Sequence, residues 1–131
     1  MHGRPFLQAL ILDTGALIAL ERRDRLVAGY IQRARDIGAE IVIPAGVVAQ
    51  AWRNGSRQTR LAALLASRDI TVDALDTPRA RATGELCGRR PTSDIVDAAV
   101  VLAAHEHRGF ALTSDQSDLL KLDPNLDLVA I

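Results

Sequence analysis

Apolar positions along this 131-residue chain follow two periods, one suited to strands and one to helices. Ala9–Leu12 is wholly apolar, and Ile41–Ile43 lies within a second such run from Glu40 that closes at Pro44. Runs of this kind suit strands buried on both faces. Ile70–Ala74 alternates apolar and polar residues, while Phe110–Thr113 and Leu126–Ala130 complete five expected strands. Between them the spacing is helical. Ala16–Glu21 reads as a brief helix, and Asp24 as the cap of a longer one stopped by Gly38. In that second helix Leu26, Val27, Tyr30, Ile31, Ala34 and Ile37 share a face. Val47–Trp52 begins a third helix, broken at Asn54-Gly55, and Gln58 to Ser67 forms a fourth with Leu61, Leu64 and Leu65 apolar. Thr77-Pro78 has the form of a cap followed by proline at the first helical position. The helix it opens carries Ala80, Ala82 and Leu86 and is expected to end at Gly88. A short helix after Ser114-Asp115 reaches Leu122. Strands alternating with helices predict an α/β protein, a three-layer α/β/α sandwich with a mainly parallel sheet. No repeat or linker divides it, so residues 1–131 are expected to be one domain.

The stretch Ser93 to Ala104, S-D-I-V-D-A-A-V-V-L-A-A, stands apart. Thr92 or Ser93 is expected to cap a helix there, with Pro91 outside it and Gly109 as its stop beyond His107. Asp94 and Asp97 are three residues apart and so share a face. Asp94 in a first turn has a plain structural role open to it, complementing the helix dipole. Asp97 lies one turn deeper among Ala and Val. An unpaired carboxylate there is costly unless a cation compensates it, and either a metal ion or one of the arginines could do so.

Composition narrows the classes. Hydrophobic residues make up 48% but aromatics only 3%, so the core must be aliphatic. Formal net charge is zero, which neither favours nor excludes a polyanionic partner. Residues 1–60 carry nine Lys/Arg against five Asp/Glu, and residues 61–131 carry seven against eleven. All basic residues but Lys121 are arginines, whose planar fork suits phosphate. Cys87 is the only cysteine, so no intrachain disulfide can form and a reducing compartment is expected. Arg4 followed by F-L-Q-A-L-I-L hints at a signal peptide, but Asp13 interrupts the run and no cleavage site follows. No stretch has the roughly 18–20 apolar residues of a membrane span. A cytoplasmic protein is expected.

Asp13 ends the first strand and Asp115 follows the fourth, in L-T-S-D. In an open parallel sheet ligands bind beyond the carboxyl ends of the strands, near the switch in strand order. The topology can therefore bring Asp13, Asp94, Asp97 and Asp115 to one rim. Taken singly, Asp13-Thr14-Gly15 and Ser114-Asp115 could be turns or helix caps. Together with Asp97 they form a self-repelling cluster that asks for a hard cation, Mg²⁺ or Mn²⁺. Such a centre suits metal-assisted cleavage of a phosphate ester. Asp118, one turn past Asp115, could join the site or be ordinary solvated surface, and the surface is the expectation.

I-L-D-T-G-A-L-I-A-L, S-D-I-V-D-A-A-V-V-L-A-A and A-L-T-S-D-Q-S-D-L, in this order, resemble the PIN domain, and within it the VapC-type toxins. The resemblance implies a Mg²⁺- or Mn²⁺-dependent endoribonuclease that cuts structured RNA such as tRNA or ribosomal RNA. It also implies a cognate antitoxin partner and a homodimer. Asp13, Asp97 and Asp115 match the family's metal-binding acids, with Asp94 accessory. Thr14, Thr113 and Ser114 fall where small hydroxyl residues lie near the metal or the scissile phosphate. One position departs: V-V-A-Q-A-W-R has Gln50 in a slot that usually holds glutamate. An amide hydrogen-bonds but brings no charge. The resemblance therefore leaves two outcomes open, a working nuclease or a catalytically weakened RNA- or protein-binding domain.

Arg53, Arg57 and Arg60 could flank the rim and grip RNA phosphates, or form a solvated face. Trp52 is expected in the core or an interface, Cys87 in the core, and His105 and His107 at a helix end that favours cations. A phosphotransfer domain fits poorly. One kind wants an acid two residues after Asp13, where Gly15 stands, and the other a lysine after a late strand.

Overall fold

The structure, a computed structural model, describes residues 8–131. Arg4, Phe6 and Leu7, on which the signal-peptide reading turned, lie outside the described residues. Five strands form one parallel sheet: β1 (Ala9–Leu12), β2 (Glu40–Pro44), β3 (Ile70–Asp73), β4 (Phe110–Thr113) and β5 (Leu128–Ala130). Their order is β3-β2-β1-β4-β5. Seven helices flank it among the described residues: α1 (Thr14–Glu21), α2 (Arg25–Asp36), α3 (Ala45–Ala51), α4 (Thr59–Ala66), α5 (Thr77–Arg89), α6 (Ile95–His107) and α7 (Gln116–Leu122). The chain steps one way from β1 to β3, then returns across the sheet to β4. Right-handed crossovers therefore place α1–α4 on one face and α5–α7 on the other. The packing agrees: α1 touches α2, α3 and α4, while α6 touches α5 and α7 and lies over β1, β2 and β4.

The expected aliphatic core is present. Every residue of β1 is buried, as are Ile41, Val42 and Ile43, and Ala98, Val100, Val101 and Ala103 press α6 onto the sheet. Edge position explains the alternating pattern of β3, which pairs only with β2 and leaves Val72 exposed. In α2 the buried face is narrower than expected. Val27, Ile31 and Ala34 are covered, but Leu26 and Ile37 are exposed. The last strand is shorter than expected, because Leu126 turns into the core before β5 begins.

Two caps fall on aspartates where hydroxyl residues were expected. Asp76, not Thr77, accepts from the Arg79 amide at the start of α5. Asp94, not Thr92 or Ser93, caps α6, accepting from the amides of Val96 (3.1 Å) and Asp97 (3.0 Å). A carboxylate holding two donors at a helix start outcompetes a hydroxyl. Thr92 is instead used one step earlier, its hydroxyl oxygen accepting from the Asp94 amide. At the other end of α6, Arg108 takes the left-handed turn (φ 54°). Gly109 follows for a different reason than a helix stop. A Cβ there would lie 2.6 Å from the Ala9 carbonyl oxygen, so only glycine lets β4 start beside β1.

Candidate active site

The switch in strand order falls between β1 and β4, and both strands end in acids there. Leu12 is in register with Leu112, which sets Asp13 beside Thr113. Asp13 is almost wholly buried, at 4% exposure, and its carboxylate accepts from the Ala16 amide at 2.9 Å as it caps α1. The Thr113 hydroxyl and the Ser114 amide also bond to it. Burial nonetheless prevails and raises the Asp13 pKa above 3.8, with the Asp115 charge adding to the rise. Thr113 is itself fully buried, and its hydroxyl oxygen accepts from the Asp115 amide at 2.8 Å. One hydroxyl thus connects the two strand-end acids, donating to Asp13 and accepting from the backbone of Asp115. Thr113 positions the acids and is itself screened from solvent.

Gly15 shows how closely the two strand ends approach. A Cβ at this position would fall 1.9 Å from Ser114 Oγ and 2.8 Å from Ser114 Cβ. Only a bare backbone admits Ser114 against the first turn of α1. Asp115 begins α7 without using its side chain as a cap, which leaves its exposed carboxylate to the rim.

Asp97 is half-buried, and its pKa is raised to about 7. Burial is the main cause, followed by the Asp94 charge, a hydrogen bond with the Asp94 carboxyl, and the charges of Asp115 and Asp118. Each of these influences pushes the same way. No arginine makes a salt bridge to Asp97 among the described residues, so the arginine partner open to it from sequence is absent. Asp118 belongs with this group and not to the indifferent surface, since Asp97 feels its charge and both line one cleft of about 480 Å³. Sequence spacing alone carried a signal for this, because Asp118 stands one helical turn from Asp115. Arg90 and Lys121 share the same cleft, brought there from α5 and α7.

The acids differ in burial: Asp13 is buried, Asp97 half-buried, and Asp94, Asp115 and Asp118 are exposed. Asp115 is the acid felt by both Asp13 and Asp97. The set is open: no three of these carboxylates offer oxygens within 4.8 Å of one another. The one His/Cys/Asp/Glu trio that does so among the described residues is Asp73, Glu106 and His107. Arg79 already answers that trio, bridging Asp73 (3.3 Å) and Glu106, while His107 Nδ1 bonds Glu40 Oε1 at 2.8 Å.

The remaining expected residues spread around the rim. Gln50 on α3 is exposed, and its Oε1 accepts from the Thr14 hydroxyl at 2.6 Å, one residue from Asp13. Arg53 turns back on its own helix, donating from Nη1 to the carbonyls of Ala49 (3.1 Å) and Trp52 (2.7 Å). Arg57 and Arg60 are exposed and do not line the acidic cleft. Trp52 is exposed at 37%, with its ring lying over Gly55. Cys87 is buried, as expected.

As a donor set, carboxylates of this number, crowded together and with folding pressing two of them toward the neutral form, suit a hard divalent cation with oxygen ligands. No helix among the described residues is long and apolar enough to cross a membrane.

A family model described as PIN domain matches residues 10–123. Among solved structures, the chain resembles VapBC2 from Rickettsia felis, bound to a DNA fragment from their promoter. The TM-score is 0.70 at 15% identity, over 94% of this chain and 98% of that one. FitAB bound to an IR36 DNA fragment is similar at TM-score 0.60 and 14% identity, over 92% and 94%. FitAcB from Neisseria gonorrhoeae has TM-score 0.60 and 16% identity, over 91% and 95%. At such identities these likenesses speak to the fold alone. No curated protein matches the chain.

Proposed function

The chain belongs to the PIN domain family, whose members are generally nucleases, and from that membership we propose that it is a metal-dependent endoribonuclease. We take it further as the toxin of a type II toxin–antitoxin pair, acting on structured RNA of the tRNA or ribosomal RNA class. A cognate antitoxin would restrain it, and a homodimer is the expected assembly. The observation that carries this reading is Asp97: a half-buried acid pushed up to about 7 by burial and by three other acids, with no salt bridge to answer it among the described residues. A group kept in such surroundings has its use in what it binds.

Asp13, Asp97 and Asp115 would hold Mg²⁺ or Mn²⁺, with Asp94 accessory. When bound, the ion supplies Lewis-acid stabilisation of the charge that builds on a phosphodiester during hydrolysis. The rest falls to the chain's own residues. Thr113 holds the Asp13 carboxylate and the Asp115 backbone in mutual register. Asp94 ties its carboxylate to the first amides of α6 and so fixes where Asp97 emerges. Ser114 and Thr14 present hydroxyls beside these acids, where they can orient a phosphate oxygen. Gln50, tied to Thr14, places an amide in a position where a carboxylate would add charge.

The deciding experiment is Mn²⁺ calorimetry with cleavage of a total tRNA pool followed in the same samples. Wild type is expected to bind the ion and cut, and Asp97→Asn to lose both, with cleavage falling more than about 100-fold. Metal binding without cleavage until Gln50→Glu is introduced would make the protein a binding domain on a nuclease scaffold. No metal binding at all would sink the reading.

A further inference from the structure

The cleft that holds Asp94, Asp97 and Asp118 has a second chemical character. Arg90 and Lys121 line it too, with Pro91, Thr92 and Leu122 completing its walls. These two cations come from separate elements, Arg90 from the end of α5 and Lys121 from α7. Neither is consumed by the fold. Arg90 makes no salt bridge among the described residues, and its charge reaches Asp123 only weakly, as the last of the influences on that acid. Lys121 pairs with Asp118 at 3.5 Å, but with 77% and 54% of the two side chains exposed. Exposed pairs of this kind are weak and readily exchanged.

The backbone beneath Arg90 is fixed. Its amide bonds the Leu86 carbonyl at 3.0 Å, the Thr92 amide reaches Cys87, and the Thr92 hydroxyl accepts from the Asp94 amide. Pro91 stiffens the link. The backbone that carries Arg90 is thereby tied to the start of α6, where Asp94 stands. A cleft of about 480 Å³ is large enough for a nucleotide-sized group. Among the described residues its lining includes no aromatic ring on which a base could stack.

We propose that Arg90 and Lys121 form a subsite for the RNA backbone phosphate next to the one being cut. This rests on the nuclease reading above and adds the direction in which the strand leaves the acids, across Thr92 and Leu122 toward Arg90. Arginine supplies the planar fork for a phosphate oxygen pair, and lysine a mobile point charge. With no stacking platform, this subsite grips the backbone without reading the base, so sequence preference on that side of the cut is weak.

The test uses a fluorescein-labelled RNA hairpin, with binding followed by anisotropy across a salt series and cleavage in Mn²⁺ followed in parallel. Both residues are exposed, so Arg90→Ala/Lys121→Ala is expected to fold, with a melting curve close to wild type. The double variant is expected to bind roughly tenfold more weakly, with the slope of log K against log salt reduced by about one per lost contact. KM rises while kcat holds, and Arg90→Lys recovers most of the loss. Wild-type affinity and slope in the double variant would overturn the subsite and leave the nuclease reading standing. A fall in kcat at constant KM would also overturn it, by placing these residues in the chemistry. Failure of the wild type itself to bind or cut RNA would remove the nuclease reading, and the subsite with it.

Discussion

Asp73 and Asp97 are both partly buried acids with other acids close by, and the fold treats them differently. Asp73 lies in a trio tight enough to seize an ion, yet Arg79 reaches between it and Glu106. Asp97 lies in a looser group, with no arginine or lysine in a salt bridge to it among the described residues. The closely packed cluster is thus self-contained and the open one is not. A buried acid with a partner already has its energy offset, whereas Asp97 keeps a cost that a bound cation would relieve.

Asp97→Asn breaks the comparison hardest. It removes the unanswered charge, so the metal-free protein should gain stability as it loses cleavage. An acid whose pKa is raised on folding costs stability as pH climbs from 3.8, its ordinary value, to about 7, and the cost is complete above that. Wild type without metal should therefore melt lower at pH 8 than at pH 5. The variant should flatten that slope and melt a few °C higher at pH 8, as thermal scans in chelator will show. An unchanged slope would mean that Asp97 already has a partner.

Arg79→Ala turns the closed cluster into an open one. Leaving Asp73 without its cation should cost about 3 kcal/mol in urea unfolding, and adding Mn²⁺ should recover part of the loss. If the ion restores nothing, the trio was only an ion pair and the contrast loses one of its two limbs. Gly15→Ala attacks the rim by geometry. It forces Ser114 aside and is expected to cost about 2 kcal/mol, with Ser114→Gly in the same chain restoring stability because both clashing atoms go. Thr113→Val is the mildest change. It keeps shape but removes the hydroxyl between Asp13 and Asp115, at about 1–2 kcal/mol. Metal affinity is expected to fall about tenfold, as for other supports of a ligand, measurable by calorimetry.

Much of this was legible before any coordinates. All five strands emerge from short apolar or alternating runs, and Asp13, Asp97 and Asp115 stand out because carboxylates are costly beside Ala, Val and Leu. What local pattern could not carry was competition and convergence. The caps at Asp76 and Asp94 were expected on neighbouring hydroxyl residues, since nothing in sequence says that Thr92 will be taken by the Asp94 amide. Leu26 and Ile37 match the apolar period of α2 but overhang the sheet. Arg90 and Lys121 line one cleft with Asp97 only because the end of α5 and α7 meet there, a fact of tertiary packing with no local trace.

Placing β4 beside β1 has a consequence for the order in which the molecule comes into being. Asp13 leaves the ribosome just after the first strand, while Thr113 ends the fourth and Asp115 follows it. A long loop must close before they meet, and contacts between such distant segments form late. A nascent or truncated chain ending before β4 therefore lacks both the hydroxyl that orients Asp13 and the acid that completes the rim. The cell meets an assembled set of acids only once β4 and the residues just after it have been made.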